Sequence, residues 1–357
     1  MYSAAPHPRG ISMVSIRCMQ RSAALALCLA ATTAGTARAA DLTVTAFGGI
    51  WEQNYRKCVI EPFEQRTHKK VDVVLGTPAQ WLNQIAANPK SPPIDVVTNT
   101  TDTGYEAIRR GLVDAFGPDK VPNLADVAPQ FKDVTKGHGA LYGYGAMGLA
   151  YNAKKIKNPP KTWDEFVEGT IRGDWVAALP GISYPSTTIT TLWLFVHLYA
   201  HDNLDDIGPA LQKIKAMRDS GNLVFWNDVN EFLSLMKTGQ VDIGMYWDGR
   251  AWAFHDDGNP DVLYYNPQPG SPISSSFIQK VKNGSPLAYD FINTVISPEA
   301  QGCWGSAMRY AMSNTKTQYA PAVKDQITPP SQILVAPYEQ IGQKASAWIE
   351  QWNKTLR

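Results

Sequence analysis

Charge is scarce in this chain and almost balanced. Its 357 residues hold 33 basic and 32 acidic side chains, a formal net charge of +1, and charged residues make up 18% of it. No long basic run occurs, so the sequence carries no electrostatic footprint for a nucleic-acid backbone. Long apolar runs are missing from the body of the chain. Leu192 to Ala200 (LWLFVHLYA) has the length of a core helix and falls short of a bilayer span. Metal-ligand spacing is absent as well. His138, His197, His201 and His255 are scattered; only His197 and His201 stand at i, i+4, without the carboxylate pattern of a metalloprotease, and they read as structural. There is no internal repeat and no long disordered tract.

What is present starts at the N-terminus. Arg17 and Arg21 precede a short apolar run, Ala23 to Ala31, and Ala37-Arg38-Ala39 fits the small-x-small pattern before a cleavage point. Residues 1–39 therefore read as a secretory signal peptide, with Met13 an alternative start. Cys28 does not make a lipoprotein, because Leu27 stands where a small residue is wanted. Cleavage leaves about 318 residues, enough for two lobes or domains. With 44% hydrophobic residues and 11 tryptophans the remainder reads as well packed. Cys18 and Cys28 leave with the signal; Cys58 and Cys303 remain, either a disulfide or two separate buried thiols.

The hydrophobic pattern predicts α/β architecture. Leu42 to Phe47 alternates like a strand and stops at Gly48-Gly49. Trp51, Tyr55, Val59 and Phe63 then recur every four residues, one face of a helix that Pro62 should kink or shorten. A strand at Val71 to Leu75, a helix at Trp81 to Ala87 and a strand at Ile94 to Thr98 follow. That strand should end in a polar loop, Asn99 to Asp102, before a helix from Tyr105 to Arg110. Ala140 to Asn152 reads as a crossing strand, and Thr162-Trp163-Asp164-Glu165 as a helix start. A strand at 175–179 follows, then helices near 187–200, 206–219 and 228–238. Val241 to Trp247 is a strand running into Asp248-Gly249-Arg250. Pro267 to Ile278 is a second crossing, helices at 286–296 and 298–309 follow, and one helix or a helix pair covers 336–355. Ligands in such sheets sit outside the carboxyl ends of the strands. That nominates the loops at Gly48-Gly49 and at Asn99, Thr100 and Asp102.

The order of these segments resembles the extracellular solute-binding proteins of ABC importers, of type II periplasmic binding-protein fold, and within them the spermidine/putrescine-binding branch. The carriers are Leu42 to Trp51 with Pro62-Phe63-Glu64, Asp95-Val96-Val97, Gly143 to Asn152, Lys161 to Phe166, Gly239 to Trp247, Ser297 to Gln301, and Arg309 to Asn314. The resemblance covers essentially the whole chain after residue 40. It implies two α/β lobes, 41–145 plus 270–312 and 146–269 plus 313–357, with a ligand cleft between them. It also implies hinge closure, delivery of a small-molecule solute to a membrane permease, a monomer in the periplasm, no catalysis, no cofactor, no metal and no nucleic acid. Cys58 and Cys303 then both fall on helices of the first lobe, which favours the bridge.

Gly48-Gly49 can offer backbone N–H groups at a helix start, or be an ordinary tight turn. Trp51 follows as a site residue or the first core residue of its helix. By the resemblance Trp247 packs an aromatic face on the ligand; Asp248 is set to meet an amine and Arg250 a carboxylate or phosphonate, unless the two pair with each other or face solvent. The chain departs from the polyamine binders. Pro185 and Thr188, and Ser276, stand where those proteins place acidic residues, Ser274 where they place an aromatic, and Asp102 where they place a loop tyrosine. The hydroxyls of Tyr184, Ser186, Thr187, Ser274, Ser275 and Ser276 suit a neutral or anionic group. The expected ligand is a small amino acid-like zwitterion or organic anion, with a polyamine second. Two remoter readings stay open: ferric-ion binding through Tyr264-Tyr265, and a thiaminase-like enzyme using Cys58 as nucleophile.

Overall fold

A computed structural model of the chain describes residues 40–356 apart from Tyr184, leaving aside the side chains of Pro185 and Ser186. The expected signal segment, 1–39, lies outside the described residues. Leu42–Ala46 (β1) runs into the helical stretch Ile50–Tyr55 (α1), Arg56–Ile60 (a π-turn) and Glu61–Thr67 (α2). Then come Val71–Leu75 (β2), Pro78–Ala87 (α3), Val96–Thr100 (β3), Thr101–Arg109 (α4), Pro129–Lys132 (α5) and Ala140–Asn152 (β4). Trp163–Arg172 (α6), Ala177–Pro180 (β5), Pro185–Tyr199 (α7), Gly208–Asp219 (α8), Leu223–Trp226 (β6), Val229–Thr238 (α9), Ile243–Trp247 (β7), Asp248–Asp256 (α10) and Val262–Tyr265 (β8) follow. The chain continues through Ser271–Lys280 (β9), Leu287–Val295 (α11), Pro298–Met308 (α12), Ala311–Met312 (β10) and Ile333–Leu334 (β11), ending in Tyr338–Thr355 (α13).

The strands line up as β2-β1-β3-β9-β4-β7-β5-β6, with β10 and β8 on β4 and β11 on β9. β1 is parallel to β2 and β3, and β5 is parallel to β6 and β7, while β9 is antiparallel to β3 and β4 and β4 is antiparallel to β7; only the short β11 runs parallel to β9. β4 changes partner along its length. Ala140 to Ala146 pair with β9, and Met147 to Asn152 with β7 and β8. One 13-residue strand therefore belongs to two neighbourhoods. Most of it is covered on both sides, Gly145 and the end at Tyr151 and Asn152 excepted, so its pattern is largely apolar and its register is pinned.

Local signals explain several boundaries. Thr162 caps α6, its hydroxyl accepting from the Glu165 N–H at 3.1 Å, while Glu165 reaches back to the Lys161 N–H. Ser297 caps α12 in the same way, with Pro298 in its first turn. The four-residue spacing from Trp51 to Phe63 would drift around an ideal α-helix by about 40° per step. The π-turn widens that turn, and Tyr55, Val59 and Phe63 all end up fully buried. Pro62, expected to kink the helix, sits at the start of α2 just after the π-turn, where its missing N–H costs least. The polar loop expected at Asn99 to Asp102 does not form. Asn99 and Thr100 complete β3, and Thr101 opens α4 with its hydroxyl on the Ser275 carbonyl (3.1 Å) and hydroxyl (2.9 Å). The terminal segment is a single helix, α13, and it packs on α4 as well as on α7 and α8.

Cys58, in the π-turn, and Cys303, in α12, are bridged, with Cα atoms 5.6 Å apart. Beside the bridge Trp304 stacks on Tyr142 (centroids 5.1 Å) and meets Trp51 (4.7 Å) and Tyr55 (5.0 Å). The bridge and this aromatic cluster hold the same pair of helices together.

Candidate functional site

Four strands deliver their carboxyl ends to helix starts: β1 into Gly48-Gly49 and α1, β3 into α4, β5 into the turn before α7, and β7 into α10. Gly48 and Gly49 are exposed, and Gly49 takes φ +74, which a residue with a Cβ seldom adopts. Trp51 is half-buried in the aromatic cluster with Phe47, Tyr55 and Trp304. Its main contacts are therefore with the core.

Strand register assembles a floor. Ser276 lies opposite Thr100 on one side and Gly143 on the other, and Ser274 lies opposite Gly145. Facing residues share a side of the sheet, so Thr100, Ser276, Ser274, Gly143 and Gly145 present one surface. Met147, two residues past Gly145 on β4, is paired with Trp247, which extends the surface to that tryptophan. Ser275 alternates to the other side and is buried against Thr101. It is thus a packing residue, unlike Ser274, which is exposed. A Cβ on Gly145 would meet Asp248 Oδ1 at 3.4 Å, the Trp247 ring at 3.7 Å and the Tyr310 ring at 3.9 Å. The floor is bare backbone flanked by two aromatic rings. Gly143 is covered by Met312.

The charges divide by depth. Asp102 is exposed in the first turn of α4, with the Thr100 hydroxyl on its Oδ1 at 2.5 Å. Arg250 is exposed in the first turn of α10 and has no hydrogen bond or ion pair among the described residues. Asp248 and Arg250 therefore do not pair. Asp248 is fully buried. Its Oδ2 accepts from the Thr328 hydroxyl at 2.8 Å and its Oδ1 from the Gly249 N–H at 2.7 Å. Burial pushes its carboxyl up to about 7, against the lowering by these donors. Against the expectation of a carboxylate free to meet a ligand amine, both of its oxygens accept from the protein, with Oδ1 beside Gly145 at the edge of the floor. Asn99 is likewise buried, its amide donating to Gln279 at 2.8 Å. Thr187 is buried in α7; Tyr184 and the side chain of Ser186 lie outside the described residues.

Two remoter readings meet geometry that closes them. The Tyr264 hydroxyl accepts from the Gly148 N–H (2.7 Å) and donates to the protein, and Tyr265 donates to the Pro160 carbonyl. Their rings alternate along β8, and among the described residues no group of three or more His, Cys, Asp or Glu is gathered where it could hold a metal. Cys58, bonded to Cys303, has no free thiolate to act as a nucleophile. Two residues that sequence reasoning did not nominate belong to the site. Tyr310 flanks Gly145, and Thr328 holds Asp248 from 80 positions away. Tyr310 lay within one of the quoted motifs; Thr328 had no local signal.

The sequence pattern of a family described as bacterial extracellular solute-binding protein matches residues 59–329. The chain belongs to that family. An extracellular solute-binding protein from Bordetella parapertussis is 29% identical and superposes with a TM-score of 0.83 over 88% of this chain and 98% of its own. The thiamine-binding periplasmic protein of Salmonella typhimurium is 23% identical over 80% of this chain and 83% of its own length. A structure described as a GABA receptor shares the fold at 18% identity, with a TM-score of 0.71 over 88% and 96% of the two chains. The fold is that of type II periplasmic binding proteins. This bacterial solute-binding protein is thus the binding component of an ABC transporter, passing a small molecule to a membrane permease outside the cytoplasm, and its family binds substrates without transforming them. No helix among the described residues is long and apolar enough to cross a membrane.

Proposed function

We propose that the protein captures a small amino acid-like zwitterion or organic anion at the floor formed by Ser274, Ser276 and Gly145. Trp247 packs on the apolar body of the solute. Arg250 takes the acidic end as a fork, and Asp102 takes an amine where there is one. The observation that carries this is Arg250: an exposed guanidinium without a partner among the described residues, three positions beyond Trp247, while the neighbouring carboxylate of Asp248 is turned inward. The GABA-receptor likeness supports an ω-amino acid as one candidate. A polyamine is the second reading, favoured by the exposed Asp102 beside an aromatic surface.

The solute sits between lobes 41–145 plus 270–312 and 146–269 plus 313–357, which close by bending at the crossing strands β4 and β9. The mature chain starts near Ala40 after removal of a signal peptide and works as a periplasmic monomer. A thermal-shift screen of amino acids, ω-amino acids, carboxylates, phosphonates and polyamines tests the ligand class. With the cleft closed over it, loss of Arg250 should cost roughly 2–5 kcal/mol of binding. Tight spermidine or putrescine binding, unchanged by Arg250→Ala, refutes the anionic reading and establishes the second one.

A further inference from the structure

A buried polar knot sits where β4 exchanges β9 for β7. Asp248 is its centre. The Thr328 hydroxyl and the Gly249 N–H donate to its two oxygens, and the Ala146 backbone N–H also donates to the carboxylate. The knot reaches four separate segments. The Tyr144 hydroxyl, from β4, donates to the Thr328 carbonyl at 3.1 Å. The Tyr264 hydroxyl, from β8, donates to the Ala146 carbonyl at 3.1 Å or to Asn266 Oδ1 at 2.8 Å. Asn266 in turn donates to Thr328 Oγ1 at 3.3 Å. α10 is wedged against a third side: a Cβ on Gly249 would stand 2.9 Å from the Met308 carbonyl and 3.1 Å from the Tyr310 ring.

We infer that Asp248 is a positioning residue for solute binding: its ionised carboxylate fixes the first turn of α10, and with it Trp247, against the crossing strands, and uptake of a proton there releases the tryptophan. The inference rests on the reading that Trp247 meets the solute. Its logic is one of donors and acceptors. An ionised carboxylate accepts at both oxygens, which is what the Thr328 hydroxyl and Gly249 N–H require. A protonated one must itself donate, so the Thr328 hydroxyl, which already accepts from Asn266, has to turn from donor to acceptor toward Asp248 and the knot is rearranged. The titratable groups on the elements around Asp248 include Tyr144 of β4 and Tyr264 of β8, both held neutral by burial, and Tyr310, whose ring packs on Gly249 and Gly145. The largest influences on its carboxyl are burial and the hydrogen bonds from Thr328 and the backbone. On its own helix, Arg250 is exposed and His255 lies at the far end, its ring bonded to the Val262 carbonyl at 2.9 Å.

The test follows the Trp247 indole and Gly249 amide resonances of the chain from Ala40 onward between pH 5.5 and 8.5, without any solute. The indole peak is identified by its loss in Trp247→Phe. Both resonances should move with one midpoint near 7, and both movements should vanish in Asp248→Asn. Thr328→Val, which removes one donor to the carboxylate, should move the midpoint upward, and it serves alone if Asp248→Asn does not fold. Resonances that stay still in the wild type, a titration that persists in Asp248→Asn, or an unmoved midpoint in Thr328→Val overturns the inference. Failure of the solute reading shows separately, as the absence of stabilisation by every screened compound while the titration remains.

Discussion

Replacing Cys58 and Cys303 together by alanine opens a loop of 245 positions in the unfolded chain without removing any apolar contact of the aromatic cluster beside it. The chain-entropy relation gives a loss of about 18 cal/mol/K for a loop of that length, or roughly 5 kcal/mol at 25 °C. This is an upper figure, because residual structure in the unfolded state reduces it. In the folded state Trp304 still stacks on Tyr142 and meets Trp51 and Tyr55, so α1 and α12 keep their packing. The cost therefore falls on the unfolded side of the equilibrium. For about 318 residues the unfolding entropy is roughly 0.7 kcal/mol/K, so a 4 kcal/mol loss lowers Tm by about 6 °C. The assay is urea unfolding of the wild type, with and without reductant, beside the double variant, together with near-ultraviolet circular dichroism of each native state. Expected are a lower midpoint and a steeper denaturant dependence, as the unbridged chain exposes more surface, with an unchanged aromatic spectrum. An unchanged midpoint refutes the argument. A changed aromatic spectrum shows instead that the bridge shapes the native packing.

Other expectations follow from the same geometry. Asp248 has a folded-state pKa raised from 3.8 to about 7, so the folded chain binds a proton that the unfolded chain does not between those values. The stability difference between wild type and Asp248→Asn should accordingly shift in favour of the wild type as pH falls from 8 to 4, on the order of 4 kcal/mol, and calorimetry showing the opposite slope would contradict it. Gly148→Ala would place a Cβ 2.3 Å from the Tyr265 carbonyl and 2.6 Å from the Tyr264 hydroxyl; a loss of several kcal/mol should appear in thermal unfolding, and a Tm within 1 °C of wild type would show that β8 yields easily. Trp247→Ala should weaken solute binding by roughly 1–2 kcal/mol while barely changing the Tm of the free protein, measured by titration calorimetry and thermal shift.

The strands and helices were legible because each obeys its period. The alternation of Leu42 to Phe47, the spacing of Trp51 to Phe63 and the cap at Thr162 each act within a few residues. β3 ran further than expected because Asn99 and Thr100 are held by Gln279 and Ser276, partners about 180 positions away that no local pattern reveals. The site was read unevenly for a similar reason. Trp247 and Ser274 are nominated through the resemblance, and Arg250 through its place three positions beyond Trp247. Asp248 looked like an ordinary acidic residue in a first helical turn, and only the tertiary contact with Thr328 shows that it faces inward. Adjacent residues on a helix point about 100° apart, so a motif such as Asp248-Gly249-Arg250 cannot say which of its charges meets solvent.

The π-turn at Arg56–Ile60 has a consequence for length variation in this segment. Such a turn holds one residue more than an α-helical register would. Deleting a single residue there would restore ordinary winding and leave Tyr55 and Phe63 seven positions apart, about 20° short of two full α-helical turns. Phe63 would then stay on the buried face with Tyr55, near Phe291, which it now meets at 5.1 Å. A chain of this fold one residue shorter at the π-turn could therefore keep the same buried face with an uninterrupted α-helix.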